Sequence, residues 1–88
     1  MKKLYYIPYI TQEGGWTRTN GFLISDDFTL ISKKREEMPK DNTNLNPFLL
    51  EINYLEVSNS QMDMFLTKSV DGVLWGDEFE LNNYRKES

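Results

Sequence analysis

The chain has no cysteine and no histidine, and these two absences remove much of the chemistry a small protein can carry. Without thiols there are no disulfides, thiolate zinc sites, iron–sulfur clusters or cysteine nucleophile. Without imidazole the commonest general base, the commonest metal ligand and the usual pH switch are gone. Alanine is missing as well, while asparagine and lysine are abundant and lysine outnumbers arginine. That bias matches AT-rich coding DNA, as in low-GC bacteria and their mobile elements. No apolar run approaches the roughly 20 residues needed to span a bilayer. Met1-Lys2-Lys3 has the charge of a signal-peptide start. However, Leu4 to Ile10 is interrupted by Pro8 and by Tyr5, Tyr6 and Tyr9, and no small-residue cleavage site follows. The expected location is the cytoplasm, with no membrane contact.

What remains is enough for one core. The 88 residues include five Phe, five Tyr and two Trp, a load that disordered chains lack. A chain of this length buries roughly 60–65% of its unfolded surface and leaves no room for a second domain. The expectation is a single domain over 1–88 with modest stability. A net charge of −4 argues against a surface built mainly to neutralise phosphates.

Lys3 to Thr11 is dense in strand-forming residues, and Pro8 makes this strand an edge or a bulged one. Gly14-Gly15 marks a turn, followed by a second strand from Trp16 to Ser25 with a break at Asn20-Gly21. The stretch 27–38 fits either a third strand, Phe28 to Ser32, or one short helix with Phe28, Ile31 and Met38 on one side. Residues 39–47 form a polar loop bounded by Pro39 and Pro47. Phe48 to Val57 alternates like a half-buried strand.

Asp71-Gly72 signals a two-residue type I′ hairpin. Its register sets Met62, Met64, Leu66, Lys68 and Val70 opposite Leu81, Phe79, Asp77, Trp75 and Val73 on a mainly apolar face. Asp63, Phe65, Thr67 and Ser69 then lie opposite Glu80, Glu78, Gly76 and Leu74 on a mainly polar one. A rival helix starts at Ser60, capped with Asp63 and ended by Gly72. The expected fold is therefore mainly β, or α+β. It is a small antiparallel sheet of five to six short strands with a C-terminal hairpin, one short helix around 27–38, and a polar tail, 82–88, that frays.

Few residues suggest chemistry. Asp26-Asp27 and Asp77-Glu78 could serve as acid–base or Mg²⁺-binding pairs, but turn formation and solvated strand ends account for them. Asn42 to Asn46 lacks the glycine and glutamate of a calcium loop. Gly14-Gly15 has no phosphate-cradle context. Lys33-Lys34-Arg35 is neutralised by Glu36 and Glu37. No catalytic residue, metal or cofactor is expected.

Two surfaces suggest binding. Tyr5 and Tyr9 lie on a strand apolar on both faces, as if one face met a second copy or another protein. Asp63 and Glu80 fall opposite each other beside Glu78, a like-charge arrangement that a basic partner would relieve. The sequence thus points to a non-enzymatic accessory protein acting by macromolecular binding. Such a protein would be a phage or mobile-element inhibitor of a host nucleic-acid-processing or defence protein, or an assembly subunit. Its expected partner is a protein with a basic surface, or a second copy in a homodimer. The alternative is a single-stranded nucleic-acid binder on an OB- or SH3-like sheet, which stacks bases on its aromatic residues.

Overall fold

The computed structural model describes residues 2–13, 16–37 and 51–85, with the backbone alone for 11–13, 16–18 and 20. Strands β1 (Lys2–Glu13) and β2 (Trp16–Ser25) are followed by α1 (Phe28–Glu37), β3 (Asn53–Val57), α2 (Asn59–Lys68), β4 (Val73–Gly76) and α3 (Glu78–Arg85). The strands form one sheet in the order β3-β1-β2-β4, with every neighbouring pair antiparallel. The fold is α+β: among the described residues four strands replace the expected five to six, and three helices replace one.

Each helix begins on a side chain suited to cap it. The Asp27 carboxylate accepts from the Thr29 and Leu30 amides at 2.9 and 3.2 Å, and Phe28–Glu37 is helix rather than strand. Ser58 and Gln61 form a capping box, each side chain accepting from the other's backbone N–H. Asp77 accepts from the Glu80 amide at 2.9 Å. Gln61 also donates to the carbonyls of Asn83 and Tyr84 at 3.1 and 3.3 Å, tying the start of α2 to the end of α3.

The C-terminal hairpin is present only as its turn. Asp71 and Gly72 have φ of 54° and 83°, and Val70 and Val73 exchange both backbone hydrogen bonds, at 2.8 and 3.1 Å. These are the features of a type I′ turn. Most of the first strand expected over 62–70 is helix instead, since α2 spans Asn59–Lys68. The Met62/Met64/Leu66 alternation is outweighed by the cap and by a run of Gln, Met, Leu and Lys with one β-branched residue, Thr67. On the other side the strand stops at Gly76, and 78–85 form α3. The rival helix was right in kind, displaced by two residues at its start and ended at Ser69.

The sheet is covered on both faces. On one, Leu4, Phe22, Ile24 and Val57 pack against Met62 and Phe65 of α2 and Leu81 and Tyr84 of α3. On the other, Ile31 of α1 packs on Ile7 and Leu23. This explains why β1 is apolar on both sides: it pairs with β3 over Lys2–Tyr6 and with β2 from Tyr5 on, and both faces of the sheet are covered by helices. Pro8 lies just past the last β3 partner, and the register shift between Tyr9 and Ile10 leaves Asn20 as an extra residue in β2. Of the strand expected over 48–57, residues 53–57 form β3, with Val57 buried and Tyr54 exposed, and 48–50 lie outside the described residues. The polar loop 39–47 lies outside the described residues, as do 86–88 of the tail. Residues 82–85, expected to fray, form the last turn of α3.

Tyr84 ends that turn inside the core, and its buried hydroxyl has no hydrogen-bond partner among the described residues. Burial raises its pKa above 10.0, and the charge of Glu80 adds to the shift. A raised phenol pKa keeps the folded form protonated while the unfolded chain ionises. Stability should therefore fall as pH rises above about 10. Tyr84→Phe should leave stability at neutral pH unchanged or about 1 kcal/mol higher, because it removes an unpaired buried polar atom. It should also flatten the alkaline loss. Urea midpoints of both forms at pH 7 and pH 10.5 check both effects.

Candidate functional site

The most distinctive surface lies where β4 ends and α3 begins. Beyond Phe22, which pairs with Gly76, β2 has no partner on its β4 side among the described residues, while its pairing with β1 runs on to Glu13–Trp16. The chain leaves the sheet at Asp77 and turns into α3, whose Leu81 and Tyr84 enter the core. Glycine makes this departure possible. A Cβ at Gly76 would lie 2.5 and 2.6 Å from Glu80 Cγ and Cβ, and one at Gly21 would lie 3.1 Å from the Gly76 carbonyl oxygen. Gly76→Ala should therefore push α3 off the sheet and cost about 1–3 kcal/mol. Thermal unfolding checks this, and a Tm within a degree of wild type would contradict it.

With Leu81 and Tyr84 turned inward, the first turn of α3 presents Glu78 and Phe79 to solvent. Phe79 is 82% exposed, beside the carboxylates of Asp77 and Glu78. A cleft of about 340 Å³ separates this turn from the β1–β2 hairpin, lined by Thr19, Gly21, Phe22, Asp77, Glu78 and Phe79. On the outer side, Phe79 and Asp77 border an open hollow shared with Glu80, Asn82, Asn83 and Arg85. Phe79 is thus a ridge with concave surface on both sides.

The carboxylates differ in their freedom. Glu80 accepts from Lys68 Nζ at 3.1 and 3.4 Å and from Asn83 Nδ2 at 2.8 Å, so it joins α3 to α2. Asp77 is occupied as a helix cap. Glu78 is exposed and carries its charge outward.

The five residues expected at a binding surface do not converge. Glu78 and Glu80 share the first turn of α3. Asp63 is exposed on α2, so the Asp63–Glu80 cross-strand repulsion does not exist, and Lys68 faces Glu80 instead. Tyr5 and Tyr9 lie on the α1 side of the sheet, half-buried in edge-to-face contacts with Phe28 at 5.3 Å and Trp75 at 5.9 Å. Trp75 itself, expected in the core, is 57% exposed. Sequence reasoning missed Phe79 by placing it on the apolar hairpin face. The available signal was Asp77-Glu78-Phe79-Glu80, an acidic cap with glutamate three positions on, followed by Leu81 and Tyr84 at helical spacing.

Among the described residues no three carboxylates gather where they could hold a metal ion, and no helix is long and apolar enough to cross a membrane. In comparisons with protein-family models, curated proteins and solved structures, the chain matches none.

Proposed function

We propose that the chain is a small, non-enzymatic binding protein that engages a basic surface of another protein through the start of α3. The observation that carries this reading is Phe79, 82% exposed beside free and capping carboxylates. Exposed aromatic area of this kind stabilises nothing in the monomer, whereas aromatic residues dominate binding energy when a partner covers them. The carboxylates would supply orientation and rate, drawing a cationic surface onto the ridge. Asp27 and Asp77 serve as caps and Glu80 is held by Lys68.

An inhibitor of a host nucleic-acid-processing or defence protein, encoded by a phage or mobile element, is the kind of accessory protein this surface suits. A cytoplasmic location goes with that reading. Single-stranded nucleic acid is the alternative, resting on exposed Trp75 and on Tyr54, over whose ring Lys3 sits at 4.7 Å. Helix α1 crosses the middle of that face, which interrupts a continuous stacking platform.

Affinity purification of the tagged chain from its source cell tests the proposal. The expected result is a larger basic protein whose retention falls with salt and whose association is slowed by Glu78→Gln. Retention unaffected by Glu78→Gln and by salt would overturn it.

A further inference from the structure

The acidic ridge borders an unfinished part of the sheet, and we infer that the partner contributes an extended basic segment that adds a strand to β2 there, in line with β4. This rests on the acidic-surface reading and specifies how the partner is held. Three observations meet at one place. First, among the described residues β2 is partnered on its β4 side only from Phe22 to Ser25, so the backbone from Trp16 to Gly21 offers ladder groups there. Second, α3 leaves toward the face packed with Leu81 and Tyr84, so the sheet edge past Gly76 is bordered by a cleft lined by Thr19, Gly21 and Phe22. Third, the far wall of that cleft is Asp77, Glu78 and Phe79.

A strand laid along β2 would satisfy main-chain donors and acceptors, the usual source of affinity in strand addition. Its side chains alternate between the two faces. Those on the α3 side would meet the carboxylates of Asp77 and Glu78 and the ring of Phe79, which calls for Lys or Arg with long apolar stems. Charge complementarity therefore selects a basic occupant over a neutral or acidic one. A second copy of this chain, acidic overall at −4, fits less well.

The test uses the full chain, isotope-labelled, and a short acetylated peptide alternating Lys and Val. Two controls accompany it: the same peptide N-methylated along one backbone edge, and a Glu–Val peptide. The expected result is slowed amide exchange at those amides between Trp16 and Gly21 that point away from β1. Affinity should fall about tenfold or more for each control. Asp77→Asn with Glu78→Gln should weaken the Lys–Val peptide similarly, while asparagine keeps the helix cap. No protection along β2 at millimolar peptide, or equal binding of the N-methylated peptide, would overturn strand addition. If shifts then appear only at Asp77 to Glu80, the acidic-surface reading survives without it. Equal binding of the Glu–Val peptide would overturn the charge selection and the acidic-surface reading together.

Discussion

Replacing Phe65 with alanine should destabilise the protein by about 3–5 kcal/mol. Phe65 has no exposed surface and sits among Leu4, Phe22, Val57, Met62, Leu81 and Tyr84. Its ring joins α2 to the sheet and to α3, and its carbonyl accepts from the Ser69 amide that ends α2. At about 0.05–0.15 kcal/mol per residue, a chain of this size has total stability of roughly 4–13 kcal/mol. Such a loss would leave it marginal or unfolded at 25 °C. Urea unfolding, with circular dichroism to follow the helices of ten, ten and eight residues, checks this. A loss below about 1 kcal/mol would mean that Phe65 faces solvent, as a C-terminal hairpin would require.

That same residue shows why the C-terminal half was hard to read. Over 59–68 the apolar residues are Met62, Met64, Phe65 and Leu66. Met62 and Phe65 fit helical spacing, while Met62, Met64 and Leu66 fit strand alternation, and in a short segment both patterns coexist. Asp71-Gly72 was correctly legible as a type I′ turn because its signal is local stereochemistry. The register inferred from it failed because only Val70 and Val73 continue the pairing. The N-terminal half was clearer. The irregularity at Asn20-Gly21 and the two N-terminal strands follow from local rules, and the sheet bears them out through residues 2–13 and 16–25, while Gly14-Gly15 lies outside the described residues. What β1 packs against was not legible, because two apolar faces can mean burial between layers or a partner. Helix α1 over Ile7 and Leu23 decides for burial. At the site, the acidic character of 77–80 was visible in the sequence. The exposure of Phe79 was not, since it depends on Leu81 and Tyr84 turning inward.

Phe79→Ala should leave stability within about 0.5 kcal/mol of wild type, as expected for an exposed position. It should weaken partner binding by 2 kcal/mol or more, about thirtyfold, if the ring is a central anchor. The opposite signatures of Phe65 and Phe79 follow from their places on facing and outward sides of adjacent helices. Calorimetric titration against the purified partner, paired with thermal unfolding of the same variant, separates them. A variant that unfolds earlier without losing affinity would make Phe79 a structural residue and leave the ridge without a role.

The central claim is that partner and chain meet at the start of α3. A photoreactive phenylalanine analogue at position 79, compared with the same group at exposed Glu36 on α1, tests it most directly. Irradiation in the source cell extract should give one dominant adduct from position 79, diminished by high salt and by Glu78→Gln, and none of that mass from position 36. Equal adducts from both positions, or a dominant adduct from position 36 alone, would contradict the account.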